Sequence, residues 1–135
     1  MGRVAQEFAD VPYEDLEPGV VRTTTHRLDP SLVAEYERLV GPSPDGSVSP
    51  WVFCTFLPMY RALGGRMEQG SIHTRQRMVE HRPVSVGATL TVELRVLEKI
   101  EEGGRRHVTL EIVFADEAGP VCSSTGTYLW GHATR

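Results

Sequence analysis

The stretch that most constrains this chain runs over residues 51–63. Trp51, Val52, Phe53, Cys54, Phe56, Leu57, Met59, Tyr60, Ala62 and Leu63 leave no polar stripe at helical spacing. Ser49-Pro50 in front of it reads as a helix start, a hydroxyl cap followed by proline at the first helical position. Gly64-Gly65 behind it reads as a stop. A helix apolar on every face has to be buried on every face. Its longest nearly apolar stretch, Trp51 to Tyr60, is about half of the ~20 residues a membrane-spanning helix needs, so the expectation is a helix wrapped by a sheet of the same chain. Pro58 predicts a kink or a local loosening within it.

The rest of the sequence supplies such a sheet. Residues 20–28 are rich in Val and Thr and read as a first strand. Residues 71–81 and 89–100 read as two more, separated by a Pro83…Gly87 connection. Leu90, Val92, Leu94 and Val96 alternate with Thr91, Glu93 and Arg95, and Val108, Leu110, Ile112 and Phe114 alternate in turn. Glu101-Glu102-Gly103-Gly104 and Asp116-Glu117-Ala118-Gly119 read as turns, and 121–130 as the returning strand. Before the meander, Asp29-Pro30 starts a short helix with Leu32, Val33, Tyr36, Leu39 and Val40 on one face, and Gly41 ends it. The first 18 residues read as a partly irregular arm, ending at the Pro18-Gly19 turn. The chain has 135 residues, the size of one core, and 1–135 is expected to be a single domain.

Charge and cysteine usage narrow the function classes. Fourteen basic against eighteen acidic residues give a net charge of −4, and thirteen of the fourteen cations are arginines scattered along the chain. Nucleic-acid binding is not expected of such a distribution. Cys54 and Cys122 form neither a CxxC pair nor a Cys/His ligand spacing, which argues against a disulfide framework or a structural zinc site, and no metal site is expected. The first residues hold no apolar run of the signal-peptide kind. A cytoplasmic protein without membrane partners is the expectation.

Long antiparallel strands curling around one buried helix describe the hot-dog fold, an α+β architecture. Tyr13-Glu14-Asp15-Leu16-Glu17-Pro18-Gly19 resembles the opening of MaoC-like dehydratase domains. Val48-Ser49-Pro50-Trp51-Val52-Phe53 resembles the start of the hot-dog helix. Ile72-His73-Thr74-Arg75-Gln76, His81-Arg82-Pro83-Val84 and Gly87-Ala88-Thr89-Leu90 resemble the strand region that follows it. In this order they look like the FAS1-like dehydratase, or HadA-like, branch, over residues 11–131. The resemblance implies an acyl thioester on coenzyme A or acyl carrier protein, hydration of a trans-2-enoyl or dehydration of a (3R)-hydroxyacyl group, and no cofactor. It also implies a homodimer, or a heterodimer with another hot-dog chain. Active relatives place an Asp and a His ahead of the central helix to activate water and move the proton. Backbone N–H groups at the helix start hold the thioester oxygen. Here the loop over 41–47 reads GPSPDGS: it has no histidine, and proline stands where the Asp belongs. Some members of the branch lack the dyad as well and act as the substrate-binding half of a heterodimer.

The candidate catalytic residues are therefore displaced ones, His73 and Asp45. His73 opens the strand after the helix and can serve as base or thioester holder; the alternative is a histidine bonded within the sheet. Asp45 is the carboxylate of the loop facing the expected site, or an ordinary turn aspartate between Pro44 and Gly46. Trp51, Cys54 and Tyr60 on the central segment and Gln76 on the next strand are the candidate substrate-binding residues. Strand parity sets His73, Arg75, Arg77 and Val79 against Ile72, Thr74, Gln76 and Met78. His73 and Gln76 can share a face only across a bulge. Cys54, early in a helix, is either an activated thiol or an inert small hydrophobe. His81 reads as an end-of-strand structural residue, and His26, His107 and His132 as structural. Arg61, Arg66, Arg75, Arg77 and Arg82 can face carrier phosphates or simply solvent. A hydratase or dehydratase, a non-catalytic binding subunit and a polyketide-tailoring cyclase remain open. A thioesterase is disfavoured because 51–63 holds no carboxylate.

Overall fold

The computed structural model describes residues 8–134. Five strands make one antiparallel sheet: β2 (Val21–Arg27), β4 (Ile72–Glu80), β5 (Thr89–Glu102), β6 (Arg105–Asp116) and β7 (Gly119–Leu129). Their spatial order is β2-β5-β6-β7-β4, which leaves β2 and β4 at the edges. The alternation read from sequence sets the inward face, with Leu90, Val92, Leu94, Val96, Val108, Leu110, Ile112 and Phe114 buried. The β5–β6 hairpin closes through Gly103 and Gly104, both at positive φ, the backbone a two-residue turn between twisted strands needs.

Helix α1 (Pro30–Val40) has the bounds its caps predict, ending at Gly41 with φ 85°. Its Asp29 carboxylate bonds Arg27 at 2.9 Å rather than a helix N–H. Only the first half of its apolar face finds cover: Val33 is buried, whereas Leu39 is 80% exposed.

The central segment departs from the expected long helix. It is a 3-10 turn over Pro50–Cys54, a break at Thr55 with extended backbone (ψ 144°), and a seven-residue helix α2 (Leu57–Leu63). Pro58 lies in the first turn of α2, where its missing N–H costs nothing, while its ring could not have continued a helix from the preceding turn. Burial on every face fails too. Val52, Phe53, Pro58, Met59, Ala62 and Leu63 are buried, but Trp51 is 54% exposed and Phe56 and Cys54 are exposed. Leu57, expected to pair with Phe53 on one buried face, is half-buried beyond the break.

The expected irregular arm lies partly outside the described residues, since 1–7 fall there together with the start read for targeting signals. From residue 8 onward it is tied down. β1 (Asp10–Val11) pairs in parallel with β3 (Arg66–Met67), and a 3-10 turn over Tyr13–Asp15 follows. The buried Trp130 indole donates to the Val11 carbonyl at 2.8 Å. Lys99 Nζ donates to the Leu16 carbonyl at 2.9 Å and sits 4.2 Å from the centre of the Tyr13 ring.

Candidate functional site

A cavity of about 220 Å³ lies between the broken central segment and the β6–β7–β4 side of the sheet. Phe53, Met59, Ile112, Ser124 and Tyr128 form its buried inner wall. Cys54, Phe56 and His73 are exposed and form its mouth, while Gln76, also exposed, reaches the buried Ser124 and Gly126 of the inner wall with its amide. His73 and Gln76 share this face because β4 carries the bulge that strand parity demanded. His73 pairs Tyr128 and Arg75 pairs Thr127, so Thr74 is the extra residue and the side-chain alternation resets.

Three of the sequence-predicted residues thus meet here: His73, Gln76 and Cys54. The His73 ring stacks on Tyr128 with centroids 4.6 Å apart and meets the edge of Phe56 at 6.0 Å, and its Nε2 lies 3.1 Å from the Arg75 carbonyl. Gln76 Nε2 donates to Ser124 Oγ. Cys54 Sγ lies 3.9 Å from Met78 Sδ, and burial pushes its thiol up, away from an activated thiolate.

The other three lie elsewhere. Asp45 borders a separate depression with Ser47, Pro83 and Ser85. Its Oδ1 accepts from the Ser47 hydroxyl at 2.6 Å and the Ser47 N–H at 3.0 Å, contacts that hold its carboxyl below the usual range. That is the turn aspartate of the alternative reading. Trp51 stands out in solvent. Tyr60 lies behind the mouth, its ring stacked 5.9 Å from Phe56. The Ser49 hydroxyl takes up the Trp51 N–H at 3.4 Å, one of the backbone donors at the start of the segment.

The arginines do not gather at the mouth. Arg66 pairs with Asp10, Arg82 with Asp116 and the Gly119 carbonyl, and Arg61 borders another depression beside His26. Arg75 and Arg77 pair with Thr127 and Thr125 on the outer face of the sheet. His81 bonds Ser123 at 2.8 Å. Among the described residues no group of three His, Cys, Asp or Glu is arranged to hold a metal, and no helix is long and apolar enough to cross a membrane.

Sequence reasoning missed Tyr128 and Ser124. The signal was present in 121–130, whose inward face reads Cys122, Ser124, Gly126, Tyr128, Trp130 where an apolar row is expected. Tyr128 is 3% exposed, and burial pushes its phenol up to about 12, with Tyr60 adding to the shift. It therefore stays a neutral hydrogen-bond donor.

Solved structures share this architecture. The (R)-hydratase PhaJ1 from Pseudomonas aeruginosa matches with TM-score 0.67 and 19% identity, over 90% of this chain and 86% of that one. The MaoC-like dehydratase from Rhodospirillum rubrum matches with TM-score 0.67 and 21% identity, over 87% and 94%. The HadBC (3R)-hydroxyacyl-ACP dehydratase complex from Mycobacterium tuberculosis matches with TM-score 0.62 and 16% identity, over 82% and 95%. No protein-family model matches the chain, and no curated protein matches it by sequence. What these likenesses establish is the fold. The chain is a hot-dog protein, in the form that MaoC-like dehydratases and (R)-hydratases adopt.

Proposed function

We propose that this chain binds an acyl thioester, carried on coenzyme A or acyl carrier protein, with the acyl group in the cavity between the central segment and β4–β7. Its part in enoyl-thioester hydration or hydroxyacyl-thioester dehydration is that of the substrate-binding half of a two-chain unit. The observation that carries this reading is the cavity's lining: an apolar inner wall, one imidazole at the mouth, and no carboxylate. Apolar walls with a few placed polar groups are what an acyl chain requires. Activating water takes a positioned acid and base, each worth ~10²–10⁴-fold, and His73 has no carboxylate partner in the cavity.

The second chain is supported by β4. Its outer ladder edge is unpaired within the sheet, and eight of its nine residues are exposed, Ile72 and Val79 among them. An open edge with apolar side chains is a pairing surface. The HadBC complex, a (3R)-hydroxyacyl-ACP dehydratase of the same fold, fits a two-chain arrangement.

Calorimetry with butyryl- and hexanoyl-CoA, alongside a hydration assay on crotonyl-CoA, tests the proposal. The purified chain is expected to bind the acyl-CoAs and to hydrate crotonyl-CoA weakly or not at all. Robust hydration by the lone chain, unchanged in His73→Ala and Asp45→Asn, would show that catalysis rests on other groups. No binding of any acyl thioester would remove the ligand class.

A further inference from the structure

We propose that the cavity selects an acyl chain bearing a hydroxyl group remote from the thioester, bonded by Tyr128 and Gln76 above Gly126. This rests on the acyl-thioester reading and adds the chemistry of the acyl tail.

The inner wall is not uniformly apolar. The Tyr128 hydroxyl is buried and reaches, among the described residues, only the Met59 sulfur at 3.9 Å. A thioether is a weak acceptor, so this strong donor is left almost unused. The Gln76 amide gives its N–H to Ser124, and its Oε1 takes no hydrogen bond among the described residues. Both oxygens converge on one point of the strand. A Cβ placed on Gly126 would stand 2.6 Å from Tyr128 Oη and 2.9 Å from Gln76 Oε1.

Gly126 is not among the glycines at positive φ, and it lies inside regular β6–β7 and β4–β7 pairing. Its backbone would accept any residue, and glycine weakens a strand. What glycine supplies here is space for the two polar groups. A donor and an acceptor set over the same bare strand carbon fit a group that accepts and donates at once, which is a hydroxyl. A saturated tail would instead close water off from the phenol and leave it unsatisfied, a discrimination that polar sites make strongly.

Distance from the thioester follows from burial. The carrier must stay outside the exposed mouth, whereas Tyr128 belongs to the buried wall. The cavity of about 220 Å³ has room for roughly seven groups the size of a water molecule. A chain of about six carbons fills it and brings its penultimate carbon to the inner wall.

Calorimetry with hexanoyl-, 3-hydroxyhexanoyl- and 5-hydroxyhexanoyl-CoA tests the assignment on the whole chain. The 5-hydroxy compound is expected to bind about tenfold or more tighter than hexanoyl-CoA. Tyr128→Phe should bring that ratio close to one. Gly126→Ala should erase the ratio too, and Tyr128→Phe keeps the test standing if Gly126→Ala does not fold. Equal binding of hexanoyl and 5-hydroxyhexanoyl, a preference for the 3-hydroxy compound alone, or a preference that survives Tyr128→Phe would each overturn the inference and leave acyl-thioester binding intact. Failure of all three to bind would overturn both.

Discussion

Phe53 joins the core to the cavity: its ring lies 4.8 Å from that of Phe114, and it forms part of the inner wall. Phe53→Ala should cost about 3–5 kcal/mol in denaturant melts, as other buried Phe truncations do. A loss below about 1 kcal/mol would mean that the 3-10 turn is not core. His73 in β4 and His81 just past its end are a paired control. His73 stacks on Tyr128 at the mouth, whereas His81 bonds Ser123, whose backbone pairs with outward-facing Val79. His73→Ala should weaken acyl-CoA binding several-fold by calorimetry, and His81→Ala should leave it within about twofold, since surface changes away from a site perturb little. Equal effects would place the ligand elsewhere.

At the scale of the element, the bulge in β4 decides what the site contains. Deleting Thr74 removes the extra residue and leaves His73 and Gln76 two positions apart on a regular strand, so both stay on the inner face in the same register against β7. Acyl binding should stay within a few-fold while far-UV circular dichroism keeps its strand signal, and a sharp loss of binding would show that the bulge itself, rather than the shared face, shapes the mouth. The sequence made the need for a bulge visible but not its presence, because which strand absorbs an extra residue is decided by the partner across the ladder. α1 was legible to the residue because Asp29-Pro30 and Gly41 are local signals. β5 and β6 were legible because their alternating residues over Leu90–Val96 and Val108–Phe114 are buried. The central segment was not. Its composition announced burial, but covering Trp51 and Phe56 takes more sheet than these five strands offer. Asp45 lay in the right stretch of chain, yet Ser47, two residues on, captures it first.

For the whole molecule, the open β4 edge and the uncovered apolar side chains predict association through that edge. Light scattering at micromolar concentration should find a dimer, or a monomer that pairs when a second hot-dog chain is added. A monomer indifferent to any such chain would defeat the expectation. Acid should weaken the fold in two separate windows. His26 is buried with its Nε2 unpartnered, and burial, then the Arg61 charge, lower its pKa from 6.5. Below that value the unfolded chain takes up a proton that the folded chain resists, so stability falls as pH drops through the low sixes and is unaffected above 7. Asp10 and Asp116, lowered from 3.8 first by hydrogen bonds from Arg66 and Arg82, lose their contribution only in stronger acid. Urea midpoints against pH should show both limbs in the wild type, and His26→Leu should lack the upper one.

Lys99 carries the one ε-amino group in the sequence, and that amine is held by the Leu16 carbonyl and the Tyr13 ring. An amine-reactive ester therefore has a single side-chain target, and acylation there needs a neutral, unbonded nitrogen. Each modification event must wait for the Lys99 amine to leave the Leu16 carbonyl, by rotation of its own side chain or by the segment around Tyr13 and Leu16 lifting away. The rate at which intact-mass spectra gain the Lys99 adduct is then a clock for that opening, read without any engineered probe. Once acylated, the nitrogen has lost its charge, and the segment cannot close onto it in the same way. The reagent traps the open form it reports.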